Sequence, residues 1–484
     1  MSNDNKVFKA GVWYVIGNFL AKATVFITTP FFTRLLTKEE VGNFANLTSW
    51  IEIFAVVFTL NLTSSVMIAR FDYSDELNDY IASNLVLGSF VTLVAYCIVI
   101  LNKGFFISLL SLSEYEIHMI FLYLSVYPAL QMYLISSRIK YEYRNAVLIS
   151  LFSTAASTVL SLICVFIFSN KLIGRITGYY GALFIINLVI YIYSFAKATK
   201  IKCSYWKYAI AISLPLVWHT LAGNILGSSD RVMITYFCGD ESTAYYSVAY
   251  YCGLMLSVFW SAVNNAWSTW AYEKMEQQSY YQLKRASKPL LLLMGGIIFI
   301  ILLFVPEIMF LMGGTAYMEA IYVVPPVVIA YAFQVVYSLY VNIEFFSKKQ
   351  KYIALGTTIA AIVNIVLNIV FIPIFGYLAA AYTTLAGYIL LFFIHFYFVN
   401  KMKKTEWYDT KFNLIFLSGS LLLLPLSIVL YRFYIIRIGI ILILGICIFF
   451  IAFLLRKKIY SSLKLRSAKP LLDTIETLRR KLKL

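Results

Sequence analysis

The chain has 484 residues, of which 61% are hydrophobic and only 13% are charged, against about 25% charged residues in ordinary soluble domains. With a mean hydropathy of +0.80, this composition excludes a soluble globular protein and predicts an integral membrane protein. A net charge of +17 would suggest a nucleic-acid-binding protein if the chain were soluble. The basic residues instead lie in short runs between apolar stretches, which excludes nucleic acid as a partner.

A transmembrane helix needs about 20 mostly apolar residues, and the chain contains fourteen such runs. In chain order they lie at 11–34, 44–66, 81–101, 118–138, 147–169, 178–196, 209–237, 244–265, 289–311, 321–344, 352–372, 377–399, 412–431 and 435–455. The sequence therefore predicts an all-α polytopic membrane protein with about 14 transmembrane helices.

The distribution of basic residues predicts the orientation of these spans. With the N-terminus in the cytoplasm, 31 of the 40 Lys and Arg residues fall on the cytoplasmic side, and 8 fall in outer loops and span ends. Because cytoplasmic loops are enriched in Lys and Arg, we expect a multi-pass protein of the bacterial cytoplasmic (inner) membrane with both termini in the cytoplasm.

The two halves of the chain resemble each other, most clearly after the first and seventh spans. TRLLTKEEVGNFA (Thr33–Ala45) aligns with TYFCGDESTAYYS (Thr235–Ser247) at an offset of 202 residues. Such internal repeats are common in transporters. The repeat predicts two pseudo-symmetric six-helix bundles, two additional helices and a basic cytoplasmic tail, at 1–200, 201–405, 406–455 and 456–484 respectively.

Four segments together resemble a known family. They are PFFTRLLTKEEVGNFANL (Pro30–Leu47), SSDRVMITYFCGDESTAYYSVAY (Ser228–Tyr250), VPEIMFLMGGTAY (Val305–Tyr317) and FFSKKQKY…NIVLNIVFIPIFGYLAAAYTT (Phe345–Thr384). In order and spacing they resemble the Wzx-type polysaccharide flippases of the multidrug/oligosaccharidyl-lipid/polysaccharide (MOP) exporter superfamily. One departure is Ala244, where the second half of the family usually has Gly.

The resemblance implies two six-helix bundles around a central cavity and transport by alternating access. It implies an undecaprenyl-pyrophosphate-linked oligosaccharide as the substrate, moved from the cytoplasmic to the periplasmic leaflet for O-antigen or other surface polysaccharide. It also implies contact with membrane lipids and, as protein partners, a polysaccharide polymerase and a chain-length regulator. A lipid II flippase and a multidrug/cation antiporter of the same superfamily remain alternatives.

Polar stripes on the first and seventh spans are candidates for binding this substrate, because fixed cations must offset the pyrophosphate charge. The stripes consist of Asn18, Lys22, Thr29 and Thr33 in the first span, and of Asn224, Ser228, Arg231 and Thr235 in the seventh. A cation at mid-span costs ~2.5–3.5 kcal/mol and is expected to face the interior. We therefore predict that Lys22, Arg231, Asn18 and Asn224 bind the substrate. Alternatively, Lys22 extends to the membrane surface, and Asp230–Arg231 marks a span end.

Further candidates lie near the cytoplasmic ends of spans and inside the second span. The helical spacing predicts that Glu52, Thr59, Thr63 and Arg70 of the second span share one face of a continuous helix. Arg70, Arg138 and Arg144 are predicted to bind the pyrophosphate. Alternatively, Arg138 and Arg144 only determine the orientation of the spans. Glu52 and Asp230 are predicted to couple transport to an ion, with Glu52 as a partner of Lys22 being the alternative.

Motifs that would indicate catalysis, nucleotide binding or metal binding are absent from the sequence. It contains no Walker A, G-x-S-x-G or H-E-x-x-H motif and no Cys/His cluster. We therefore predict no catalytic residue, metal or cofactor, and we regard a membrane-embedded polymerase or glycosyltransferase as a weak alternative.

The predicted orientation can be tested with reporter fusions. Reporters fused after Lys200 and Lys401 should be active in the cytoplasm, and one fused after Gly239 should be active in the periplasm, because basic loops stay inside. A periplasmic signal at Lys401 would contradict the predicted number of spans.

Overall fold

The computed structural model describes residues 23–140 and 142–446, together with residues 17, 20 and 450. Within these residues the regular elements are helices. The α-helices are α1 (23–35), α2 (Lys38–Phe58), α3 (Thr63–Asp72), α4 (Leu77–Leu101), α5 (Lys103–Leu110), α6 (Glu114–Val126), α7 (Pro128–Ile139), α8 (Tyr143–Ile167), α9 (Lys171–Ile176), α10 (Ala182–Ala196), α11 (Cys203–Cys238), α12 (Asp240–Glu276), α13 (Tyr280–Leu303), α14 (Val305–Gly313), α15 (Val324–Phe346), α16 (Gln350–Phe375), α17 (Tyr377–Lys401), α18 (Thr410–Arg432) and α19 (Tyr434–Ile446). A π-helical turn, Thr177–Gly181, joins α9 to α10, and 3-10 helices occur at Thr315–Val323 and Thr405–Trp407.

Twelve helical segments of the described chain are long and apolar enough to cross a membrane. The other two predicted spans are the first, described over 23–35, and the last, described as Tyr434–Ile446. The predicted tail, 456–484, lies outside the described residues. The prediction of an all-α polytopic membrane protein is confirmed.

The chain forms two compact units, Met1–Leu424 and Pro425–Leu484, and their boundary lies inside α18. In the second unit, the structure describes the end of α18 and α19. All sites discussed below belong to the first unit. The predicted bundle boundaries at residues 200 and 405 stay predictions.

The turns between α1 and α2 and between α11 and α12 agree with the repeat. Thr37 precedes α2, where its side chain accepts from the Glu40 amide while the Glu40 carboxylate accepts from the Thr37 amide. Gly239, with a φ of +85°, lies between the two later helices in a conformation that favours glycine. The helices after these turns begin at Lys38 and Asp240, which are 202 residues apart as the alignment predicts.

Helix α2 of the first half packs against α11 and α12 of the second half. The approach is closest at Gly42, where an added Cβ would lie 1.7 Å from the Asp240 carbonyl oxygen and 3.0 Å from the Ala244 nitrogen. Nearby, the Lys38 ammonium lies 2.9 Å from the Glu241 carboxylate. One glycine is enough for this crossing, which explains why alanine is accommodated at position 244.

The end of α1 adds a further contact between the halves. The Thr33 hydroxyl donates to the Met312 carbonyl at the end of α14, at 2.6 Å. We call Thr33, Lys38, Gly42, Asp240 and Met312 the seal. These residues join the two halves beside the turn between α1 and α2.

Helix α11 contacts both halves of the first unit. At its beginning, the Lys202 ammonium donates to Glu76, at 2.8 Å, and the Trp206 indole donates to the Ser83 carbonyl, at 2.7 Å. The hydrogen bonds from Lys202 lower the pKa of the Glu76 carboxyl below its usual value. Farther along, α11 packs extensively against α16 of the second half. This helix therefore starts on the first half and ends in the second.

The prediction that the second span is one continuous helix is wrong. Helix α2 ends at Phe58, and α3 begins at Thr63. Between them, Leu60 and Asn61 adopt positive φ angles of 52° and 49°, which interrupt the helical path. The Asn61 side chain donates to the Thr220 hydroxyl of α11, at 3.0 Å, and so holds the break against that helix. The helical spacing that predicted a shared face for Glu52 and Arg70 therefore does not hold across this break.

The close approach at the seal predicts a specific sensitivity to substitution. Gly42→Ala places a methyl group against the Asp240 backbone, which no side-chain rotation can relieve. We expect a loss of about 1–3 kcal/mol in the free energy of unfolding, measured by thermal or denaturant unfolding of the purified full-length protein. The matched control is Gly296→Ala in α13, where an added Cβ meets nothing within 4 Å. Equal stability of the two variants would contradict this description of the seal.

Candidate functional site

Arg231 lies inside α11 and is the most deeply buried of the predicted cations in the described chain. Its side chain is 7% exposed. One terminal nitrogen, Nη1, donates to the Gly227 carbonyl at 3.2 Å, and Nε is buried without a hydrogen-bond partner. The guanidinium lies over the Tyr250 ring, 4.5 Å from its centroid, and 5.7 Å from that of Tyr251. Since α11 continues to Cys238, Arg231 does not mark the end of the helix.

The polar stripe of α11 faces α2. The Asn224 side-chain amide donates to the Glu52 carbonyl at 2.7 Å, and the Ser228 hydroxyl donates to the Glu52 carboxylate. The Glu52 side chain is exposed although it lies within a span. Because a carboxylate facing lipid is costly, we infer that Glu52 faces a polar opening. Arg231 lies one turn after Ser228 on the same stripe of α11, so Glu52 and Arg231 belong to one site.

Asp230 points away from this opening into the second half. It is 1% exposed and accepts hydrogen bonds from the Thr384 hydroxyl at 2.6 Å, the Tyr246 hydroxyl at 2.5 Å and the Asn368 amide at 2.7 Å. Asn364, one turn from Asn368, accepts a further hydrogen bond from that amide. The carboxylate is thus held by three neutral donors, with no cation within ion-pair distance among the described residues.

The other predicted residues lie apart from this site or outside the described chain. Asn18 and Lys22 lie outside the described residues, so their predicted roles stay predictions. Arg70 is half-buried in the last turn of α3, with its guanidinium 4.4 Å from the Phe71 ring centroid. Arg138 and Arg144 are exposed at the end of α7 and the start of α8. These three arginines fit the ends of spans rather than the interior.

Arg175 of α9 is a candidate that the sequence analysis missed. Its predicted position was the outer loop between the fifth and sixth spans, but Arg175 lies in the helical segment Lys171–Ala196, which is long and apolar enough to cross a membrane. The apolar residues on both sides of Arg175, in LIGRITGYYGALF, were the available signal. As in Arg231, the guanidinium lies against aromatic rings and has buried nitrogens without hydrogen-bond partners.

Comparison with known proteins identifies the family. Residues 7–268, more than half of the chain, match the family described as polysaccharide biosynthesis protein. An uncharacterised membrane protein of Methanocaldococcus jannaschii is 22% identical over 482 residues, covering 89% of this chain and 91% of that protein.

Two solved structures show the same fold. The lipid II flippase MurJ, in an inward closed conformation, aligns with a TM-score of 0.68 at 18% identity and covers 93% of this chain and 100% of its own. An inward-facing multidrug resistance transporter of the MATE family in the MOP superfamily has a TM-score of 0.58 at 14% identity, covering 82% of this chain and 95% of its own.

These solved structures show that the chain has the polytopic fold of a flippase and of a transporter of the MOP superfamily, as the resemblance predicted. The chain belongs to the polysaccharide biosynthesis protein family. The two structural neighbours are described as a flippase and a transporter rather than as enzymes.

The hydrogen bonds of Asp230 predict that its removal destabilises the protein. Asp230→Ala leaves the Thr384, Tyr246 and Asn368 donors without their acceptor, and each buried unpaired group costs about 1–3 kcal/mol. We expect a fall of at least about 2 kcal/mol in unfolding free energy and a smaller fall for Asp230→Asn, which keeps one acceptor oxygen. Glu276→Ala, at the exposed end of α12, is the control. Stability equal to this control would contradict the described network.

Proposed function

We propose that this protein translocates an undecaprenyl-pyrophosphate-linked oligosaccharide from the cytoplasmic to the periplasmic leaflet of the bacterial inner membrane. Transport proceeds by alternating access and supplies repeat units for O-antigen, and hence lipopolysaccharide, or for another surface polysaccharide. A polysaccharide polymerase and a chain-length regulator are the partners that would use the delivered units. Membership of the polysaccharide biosynthesis protein family supports the pathway.

The observation that carries this proposal is the buried guanidinium of Arg231. Among the described residues, no carboxylate lies within ion-pair distance of it, and its Nε has no hydrogen-bond partner. A cation in this state is costly inside a membrane unless an anionic ligand compensates it. The pyrophosphate is the part of the cargo that cannot cross hydrocarbon unaided, and a guanidinium is suited to bind it.

Arg231 argues against one alternative, and the family match argues against the other. A cationic drug would be repelled by Arg231, so a multidrug antiporter fits this site less well. Lipid II carries the same pyrophosphate, and the likeness to its flippase concerns the fold alone at 18% identity. The family match therefore favours a surface polysaccharide over lipid II as the destination of the cargo.

The other residues predicted to bind the substrate have proposed roles that follow from their positions. Asn224 helps Arg231 bind the substrate, because both belong to the polar stripe of α11. Lys22 and Asn18 contribute the equivalent stripe of the first span. Arg70, Arg138 and Arg144 attract the pyrophosphate at the cytoplasmic entrance. With both termini in the cytoplasm, the seal closes the periplasmic side.

Asp230 and Glu52 are the proposed ion-coupling groups. Asp230 combines a buried carboxylate with oxygen ligands from Thr384 and Asn364 nearby, which suits exchange of a proton or a small cation. Because Asp230 directly precedes Arg231 in α11, a change in its charge acts on the substrate-binding cation through the same helix.

Deletion of the gene tests the proposed function. The mutant should lose its surface polysaccharide and accumulate lipid-linked oligosaccharide on the inner leaflet. A plasmid copy with Arg231→Ala should fail to restore the polysaccharide, one with Arg231→Lys should restore part of it because the charge remains, and the control Arg285→Ala, an exposed residue of α13, should restore it fully.

Other phenotypes of the same strain would contradict the proposal. Intact polysaccharide with new sensitivity to cationic dyes would indicate a drug antiporter. An arrest of cell-wall synthesis with intact polysaccharide would indicate a lipid II flippase. Full restoration by Arg231→Ala at wild-type abundance would remove the role of that cation.

A further inference from the structure

Arg175 is held in place by a tight helix crossing. An added Cβ at Gly174 would lie 2.5 Å from the Cys164 carbonyl oxygen, and one at Gly178 would lie 2.5 Å from the Leu160 carbonyl oxygen, both in α8. These glycines are four residues apart and let the two backbones touch, as small residues do between membrane helices. The Arg175 carbonyl accepts from the Ser161 hydroxyl at 3.0 Å. The backbone of Arg175 is thereby fixed against α8.

The side chain of Arg175 extends to α1 and α2. Its guanidinium lies 4.1 Å from the ring centroid of Phe32 and 3.7 Å from that of Phe44. Nε and Nη1 are buried and have no hydrogen-bond partner, and within the described chain no carboxylate lies at ion-pair distance. Cation–π contacts compensate such a charge only in part, and buried donors without acceptors are costly. The fold thus keeps, at a fixed place, a cation whose charge these contacts compensate only in part.

Arg175 and Arg231 belong to opposite halves, and each lies against aromatic rings. Phe44 of α2 lies against Arg175 and Tyr250 of α12 against Arg231, and α2 packs against α12. In the repeat alignment, Arg231 corresponds to Thr29 of α1, which carries no charge. Arg175 lies against Phe32, one turn after Thr29, and so supplies from α9 the cation that α1 lacks at this level. Both cations lie in spans that meet near the seal.

We propose that Arg175 is a second substrate-binding cation, which together with Arg231 forms a two-part site for the diphosphate group of a lipid-linked saccharide. This inference rests on the proposed function and adds a binding residue to it. Each guanidinium offers donors in a planar fork that matches phosphate oxygens. Two phosphates joined by one bridging oxygen fit two cations presented from opposite halves, and binding to both connects the halves through the cargo.

Binding of inorganic pyrophosphate to the purified full-length protein tests this inference. Pyrophosphate should raise the thermal midpoint of the wild type more than sulfate at equal ionic strength, since a ligand of the folded state stabilises it. Arg175→Met and Arg175→Gln should each weaken pyrophosphate binding at least about tenfold, as expected for loss of a charged hydrogen bond. The control Arg285→Met should bind like the wild type.

Stability without ligand separates a binding role from a structural one. If Arg175 is kept for binding, Arg175→Met should unfold at the wild-type temperature or higher, because an apolar side chain replaces a costly buried charge. A large loss of stability in Arg175→Met with unchanged pyrophosphate affinity in Arg175→Gln would overturn the inference.

The outcomes also separate this inference from the proposed function. Weaker binding in Arg231→Met, with wild-type affinity in both Arg175 variants, would overturn the role of Arg175 and leave the flippase proposal intact. No pyrophosphate binding by the wild type would likewise overturn the inference. Unchanged surface polysaccharide in the deletion strain would instead overturn the proposed function itself.

Discussion

The desolvation of Arg231 is the constraint on which the proposed site depends. Its guanidinium lies within a membrane-spanning helix, with one hydrogen bond to the Gly227 carbonyl and the face of the Tyr250 ring as compensation. Such a charge is tolerated only where protein or an aqueous opening surrounds it. The polar face of α11 is therefore turned toward α2, where Asn224 and Ser228 contact Glu52. Burial of this face brings the two halves into contact.

Alternating access requires contacts that can form at one end of the bundle and break at the other. The seal has the properties of such a contact, because it combines a close backbone crossing at Gly42 with polar contacts such as the Thr33–Met312 hydrogen bond and the neighbouring Lys38–Glu241 ion pair. Helix α11 links the two halves more permanently, since Trp206 is bound to the first half and Asp230 to the second. Under the proposed mechanism, relative motion of the halves would be accommodated within or beside α11, which contains Pro215.

Much of this architecture follows from local sequence signals. Apolar runs of span length predict the helices, and the aligned turns predict that α2 and α12 begin 202 residues apart. The helical spacing of polar residues predicts the polar stripe of α11, and in the structure this stripe contacts α2. These features depend on periodicity and on turn residues, which the sequence displays directly.

Other features depend on tertiary contacts that have no local signal. Leu60 adopts a left-handed conformation that its side chain disfavours, so nothing in the sequence marks the end of α2 before Asn61. Arg175 resembles an ordinary loop cation until the Gly174 and Gly178 contacts with α8 place it inside the membrane-spanning segment. The repeat alignment by itself indicates no cation opposite Arg231, because the residue of α1 that matches Arg231 is Thr29.

Direct observation of cargo movement tests the central claim. The full-length protein would be reconstituted into liposomes that contain undecaprenyl-diphosphate-linked oligosaccharide with a fluorescent label on the sugar, and a membrane-impermeant reductant would quench the accessible label. Without protein, only the label in the outer leaflet should be quenched. With the wild-type protein, nearly all of the label should become accessible, because cargo from the inner leaflet reaches the outside. If the inner-leaflet label stays protected at the same protein density, the chain does not flip this class of lipid.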